Sequence, residues 1–137
     1  MNFSNKDGGK IIFELIKTIQ DKKDFLSEVD GKIGDGDHGI NMNKGFTMTY
    51  CKVNGKDYDM TTAFSVLGDT LLEDIGGSMG PLYGAFFDGL SEASEDHDVI
   101  DKKTFQKMIH TALEAIQDIG NAKRGDRTLL DTLIPAV

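Results

Sequence analysis

Three glycine-rich loops interrupt the chain, and between them apolar residues recur every three to four positions. Glycine in the middle of a helix or strand costs roughly 0.5–1 kcal/mol relative to alanine. The run Asp30-Gly31-Lys32-Ile33-Gly34-Asp35-Gly36-Asp37-His38-Gly39 is therefore a tightly shaped loop between two regular elements. Gly76-Gly77-Ser78-Met79-Gly80 forms a second such loop, and Gly120-Asn121-Ala122-Lys123-Arg124-Gly125-Asp126-Arg127 a third. The intervening segments carry the 3.6-residue period of amphipathic helices. Ile11, Ile12, Leu15, Ile16 and Ile19 share one face of a helix over 6–29, which Phe25, Leu26 and Val29 prolong. Ser4 followed by Asp7 resembles a capping box at its start. Further helices are expected from about Ile40 or Asn41 to 53, over 61–74, over 81–94 with Pro81 at the first helical position, and over 101–119. A sixth begins near Thr128 with Asp126 as its cap. The expectation is a single all-α domain over 1–137.

Composition narrows the class. The chain has 137 residues, 39% of them hydrophobic, which suits one globular domain with a real core. Its apolar runs are too short to span a bilayer, and the charged residues following Met1 do not read as a signal peptide. Cys51, the single cysteine, fits a reducing cytoplasm and reads as a small core residue on the second long helix. A net charge of −8 with no basic stripe argues against nucleic acid and anionic membranes as partners. An acidic protein can still bind a small anion through a metal ion or a helix N-terminus.

Asp30, Asp35 and Asp37 crowd one loop. Carboxylates that close repel unless a cation neutralises them, and oxygen donors without cysteine suit Mg²⁺ or Ca²⁺ rather than Zn²⁺. An EF-hand is excluded, because position 12 counted from Asp35 is Phe46 rather than glutamate. The competing reading is a solvated acidic turn. In the second loop, Gly76-Gly77-Ser78-Met79-Gly80 before the helix that opens at Pro81 could present free N–H groups to an anion; alone it reads more readily as a tight interhelix turn. Gly125-Asp126-Arg127-Thr128 is by itself a capped helix start. His38 is placed for a phosphate contact or a structural hydrogen bond, whereas His97 and His110 read as structural or solvated. A cation loop beside an anion-binding helix start is what a nucleotide polyphosphate requires.

Together, Asp30–Met42, Gly76–Gly84 and Gly125–Asp131 resemble, in order and over nearly the whole chain, the nucleotide-binding subunit of dihydroxyacetone (glycerone) kinases. That resemblance implies an all-helical antiparallel barrel with the nucleotide at one rim. It implies Mg²⁺ on Asp30, Asp35 and Asp37, and ADP or ATP contacting His38, Asn41, Gly77, Ser78, Met79, Leu82, Gly125, Thr128 and Leu129, with Leu82 and Leu129 bordering the adenine. No side chain is expected to act as nucleophile, because the nucleotide carries the phosphoryl group. In the family's phosphoenolpyruvate-dependent form, ADP is retained and rephosphorylated by a phosphotransferase-system subunit. A separate substrate-binding subunit holds dihydroxyacetone. A small chain whose first helix begins near residue 1 suits that form better than the ATP-dependent single-chain kinases.

Two positions depart from the family pattern. Met79 stands where a second hydroxyl residue is usual, and Arg127 where lysine is common. The final segment, half apolar up to Val137, reads as part of a domain that continues, and the family's later glycine- and arginine-rich segment is not among these residues. Two alternatives stay open: a non-catalytic metal- or nucleotide-binding module, and a relative of fatty-acid kinases, against which His38 argues.

Overall fold

Side-chain caps open three of the helices in the computed structural model, which describes residues 2–137. Strand β1 (Asn2–Ser4) leads into the one-turn helix α1 (Asn5–Gly8), where Ser4 Oγ accepts the Asp7 N–H at 3.4 Å. The long helices are α2 (Ile11–Asp30), α3 (His38–Val53), α4 (Met60–Asp74), α5 (Met79–Ser94) and, after strand β2 (Val99–Asp101), α6 (Lys102–Ile119). Asp59 Oδ1 caps α4 by accepting from Thr62 N at 2.7 Å, and Asp101 Oδ1 caps α6 through Thr104 N at 2.8 Å. A short helix α7 (Leu130–Leu133) and a 3₁₀ turn (Ile134–Ala136) follow.

Chain order is also spatial order: α2 packs on α3, α3 on α4, α4 on α5 and α5 on α6. Short connections between neighbours make this an up-and-down helical arrangement. Its centre is an apolar cluster around Phe46, Leu67, Leu71 and Met108, all essentially solvent-free. Phe87 ties three helices together: its ring centroid lies 5.9 Å from both Phe46 and Phe64. A second cluster joins Leu113 and Ile116 of α6 to Leu130 and Leu133 of α7. That contact folds the third glycine loop back toward the rim where α3 and α5 begin. At the opposite end the Asn5 amide donates to Thr61 Oγ1 at 2.8 Å and to the His97 carbonyl at 2.9 Å, fastening the N-terminal segment to α4 and to the α5–β2 connection.

The all-helical expectation holds, with local corrections. The segment expected as one helix over 6–29 is two, because the backbone turns at Gly9, where a Cβ would collide with the Tyr58 carbonyl. The antiparallel β1–β2 pair, with Phe3 opposite Ile100, is too short to show a strand period in sequence. Helix α5 starts two residues early, so Pro81 is its third residue; this is tolerated because first-turn N–H groups have no intrahelical acceptor. The helix expected from Thr128 is only α7 and one 3₁₀ turn, and Asp126 does not cap it. Cys51 is exposed rather than in the core. Phe25 at 60%, Val29 at 45% and Phe105 at 42% exposure lie outside both clusters, although periodicity put them on apolar faces. Among the described residues, no helix is long and apolar enough to cross a membrane.

One acidic group in the α4–α5 crossing opposes folding. Asp88 of α5 presses its carboxylate into the space left by the missing side chain of Gly68. Partial burial, and then the charge of Asp69, push its pKa up to about 6 from 3.8. The raised value means that the folded state favours the protonated form. This contribution is fully present below about pH 4 and is lost as pH rises through about 6. Asp88→Asn is therefore expected to stabilise the protein near pH 7.5 by on the order of 1 kcal/mol, after allowing for solvent screening. The gain should vanish near pH 4. Thermal melts of both proteins at the two pH values check this; equal melting temperatures throughout would contradict it.

Candidate functional site

The acidic loop is built by the way α2 ends. Asp30 is the last residue of α2, and its carbonyl accepts the N–H groups of Ile33 at 3.1 Å and Gly34 at 2.6 Å, turning the chain sharply. Gly36, with φ +76°, completes the reversal in a region that residues with a Cβ rarely adopt. The loop then leans on its own carboxylates: Asp35 Oδ1 accepts the Asp37 N–H at 3.2 Å and Asp30 Oδ2 accepts the His38 N–H at 3.3 Å. As a result, one oxygen from each of Asp30, Asp35 and Asp37 lies within 4.8 Å of the others. Asp35 and Asp37 face solvent, and Asp30 is half-buried.

Crowding shows in the protonation behaviour of Asp37. Local desolvation, then the Asp35 carboxyl beside it, hold the Asp37 carboxyl above its ordinary range. The Asn41 amide works in the opposite direction by donating to Asp37 Oδ2 at 2.8 Å. The loop is anchored from behind by a close backbone contact. A side chain on Gly39 in the first turn of α3 would strike the Lys23 carbonyl and approach Ser27 Oγ to 2.6 Å. Because Gly39 has no Cβ, α3 starts directly against α2. Ser27 Oγ is sealed in this contact without a hydrogen-bond partner.

The acidic loop forms one wall of a cavity of about 610 Å³, within the roughly 300–1,000 Å³ typical of small-molecule sites. Asp30, Asp35, Asp37, His38 and Asn41 line one side. Gly77, Ser78, Met79 and Leu82, from the second loop and the start of α5, line another. Thr128 and Leu129 close it from the third loop. The structure thus brings together every residue singled out from the sequence except Gly125, which is outside the lining. His38 is the first residue of α3 rather than a loop residue. Ser78 precedes α5 without making a side-chain cap bond.

Gly125 shapes the third loop instead. Its N–H donates to Asp131 Oδ1 at 2.7 Å, and Thr128 N–H donates to Asp131 Oδ2 at 3.0 Å. These two bonds hold the Asp131 carboxyl below its usual range. Asp126 accepts the Lys123 N–H at 2.9 Å and braces the loop itself. Sequence reading missed Tyr83, Ile116, Asn121 and Ala122, which also line the cavity. Ile116 and Tyr83 sit at apolar helical positions and read as core. The Tyr83 ring meets the His38 ring edge-on at 5.9 Å, and burial pushes its phenol pKa up.

Chemically, the cavity divides in two. Its acidic wall offers hard oxygen donors, and Leu82, Ile116, Ala122 and Leu129 offer an apolar surface opposite. A ligand filling both parts would carry a cation-bridged anionic end and a flat or apolar end.

Residues 32–137 match the DAK2 domain family. The chain is 38% identical over 120 residues to a Listeria innocua protein described as "PEP-dependent dihydroxyacetone kinase 1, ADP-binding subunit DhaL". That alignment covers 87% of this chain and 60% of the relative. It is 38% identical over 114 residues to the "PTS-dependent dihydroxyacetone kinase, ADP-binding subunit DhaL" of Lactococcus lactis, covering 82% and 57%. With the corresponding PEP-dependent subunit of Escherichia coli it shares 32% over 117 residues, covering 85% and 56%. The chain thus spans a little over half the length of these relatives. With the match running from the acidic loop to Val137, the chain belongs to the DAK2 domain family.

Proposed function

We propose that this chain carries the metal- and nucleotide-binding rim of a dihydroxyacetone kinase subunit, working in the cytoplasm with ADP as a bound phosphoryl carrier. The observation that carries the reading is the convergence of Asp30, Asp35 and Asp37 on the wall of a cavity that two further glycine loops complete. The donor set fits Mg²⁺: three carboxylate oxygens within 4.8 Å of one another, with no thiolate among them. Bound there, Mg²⁺ would supply charge neutralisation for a diphosphate.

The chain's own groups account for the remaining needs. Asp30 and Asp35 hold the N–H groups of His38 and Asp37, so the carboxylates are oriented before any ligand arrives. Asn41 keeps Asp37 from turning away. His38 and Ser78 face the same cavity and would donate to phosphate oxygens, while Leu82 and Leu129 would border the base. Met79 offers its backbone N–H but no hydroxyl. Phosphoryl transfer depends mainly on positioning and electrostatics, so no protein nucleophile is required. The substrate hydroxyl would come from dihydroxyacetone on a substrate-binding subunit. The phosphoryl group would come from a phosphotransferase-system subunit, as the names of the relatives suggest.

Two outcomes test this reading. Asp35→Ala is expected to weaken binding of Mn²⁺, used as an EPR-visible stand-in for Mg²⁺, by about tenfold or more, the equivalent of about 1.4 kcal/mol. Co-purifying ADP, read by native mass spectrometry, should disappear with it, as should transfer to dihydroxyacetone in the presence of a substrate-binding subunit. Because Asp37 is protonated more readily than an ordinary carboxylate, Mn²⁺ affinity should begin to fall at a correspondingly higher pH as the solution is acidified. Full Mn²⁺ and ADP binding by Asp35→Ala would refute the assignment. Asp131→Ala, which releases the Gly125 and Thr128 N–H groups, should weaken ADP binding in calorimetry while leaving Mn²⁺ affinity intact. Equal loss of both would mean that the third loop supports the metal site rather than the nucleotide.

A further inference from the structure

We infer that Tyr83 is a positioning residue for His38, a ring wall that selects the imidazole orientation presented to the cavity. The inference rests on the functional reading above only for what His38 then contacts. The geometry stands apart from it.

His38 opens α3 and Tyr83 lies in the second turn of α5, two helices separated in chain order by α4. Their rings meet edge to face, with centroids 5.9 Å apart and planes at 61°. Deeper in the same interface, Phe46 of α3 and Phe87 of α5 repeat the arrangement at 5.9 Å and 76°. Two aromatic rungs therefore connect α3 to α5. The lower belongs to the core and the upper to the rim. Aromatic pairs prefer edge-to-face packing, which stabilises them beyond the burial of area alone. The upper rung thus does more than fill space: it ties the start of α3, which carries His38, to the start of α5, which carries Met79 and directly follows Ser78.

No hydrogen bond from a protein side chain holds the His38 imidazole among the described contacts; only its backbone N–H is engaged, by Asp30. The ring of Tyr83 is the aromatic neighbour that restricts it. Holding a side chain in one orientation before binding removes part of its ordering cost, at most roughly 2- to 13-fold in affinity. Tyr83 also packs against the apolar cluster, so its own ring is fixed from behind.

The test is a double-mutant cycle on the full chain, using Mg-ADP as ligand and calorimetry as readout. Tyr83→Leu keeps apolar volume but removes the ring; Tyr83→Phe keeps the ring and removes the hydroxyl. Tyr83→Leu should weaken ADP binding about 2- to 13-fold, Tyr83→Phe should restore it, and Tyr83→Leu should have no further effect once His38→Ala is present. An equal loss from Tyr83→Leu in the His38→Ala background would overturn the inference, as would a loss in Tyr83→Phe as large as in Tyr83→Leu. A second readout needs no nucleotide. The NMR signals of the His38 ring protons should be displaced from their free-peptide positions in the wild type and Tyr83→Phe, and should move toward those positions in Tyr83→Leu. Unchanged His38 signals in a folded Tyr83→Leu protein would also overturn it. If ADP binds to none of the proteins but the His38 signals move as described, the functional reading fails and the positioning role stands.

Discussion

The rim is organised by the backbone contact where α3 begins against the end of α2. Gly39 lies so close to the Lys23 carbonyl and to Ser27 that no side chain fits between them. Asp30 belongs to one side of this contact and Asp37 to the other, so the contact sets the distance between the two carboxylates. The loop joining them has little freedom left, because Ile33 and Gly34 bond back to the Asp30 carbonyl and His38 to its carboxylate. Three like charges held within 4.8 Å are costly in water and more so at a partly covered rim. The raised pKa of Asp37 comes first from local desolvation and then from the neighbouring Asp35 carboxyl. In the proposed function, a divalent cation would convert the same crowding into affinity.

The rest of the fold brings two other loops to the same place. The aromatic contacts around Phe87 align α3, α4 and α5 so that α3 and α5 start at one end. The cluster of Leu113, Ile116, Leu130 and Leu133 folds the chain back after α6 and delivers Thr128 and Leu129 to the cavity. These contacts are apolar and distant in sequence, whereas the site they assemble is polar on one wall. Core packing thus occupies the middle of the helices and the cavity one end of them, with Ile116 and Leu130 shared by both. The unfavourable terms at the rim are local: the crowded acids and the sealed, unpartnered hydroxyl of Ser27.

Much of the fold was legible because its signals are local. A 3.6-residue period over fifteen or more residues cannot be mistaken for a strand, whereas the caps at Asp59 and Asp101 emerged only with the structure. The errors fall where local signals are weak. Phe25, Val29 and Phe105 lie on correct apolar stripes, yet periodicity cannot say whether another element covers a given end of a stripe. The β1–β2 pair has three residues a side and no period to detect. Asp126 and Asp131 are both acids near a helix start; the choice between them as the partner of the Gly125 and Thr128 N–H groups depends on the path of the loop.

The linear order of residues was enough to specify the long helices, the loops between them and the acidic trio, because each depends on neighbours within a few positions. It also carried the kinship with dihydroxyacetone kinase subunits, since the three motifs are short and contiguous. Three-dimensional packing decided which residues share the cavity. Tyr83, Ile116, Asn121 and Ala122 entered it, and Gly125 stayed outside as a brace, because cavity walls are made by helices meeting across large sequence separations. Those meetings are set by side-chain volume and backbone clearance at places such as Gly39 and Phe87, and neither quantity can be read from one segment alone.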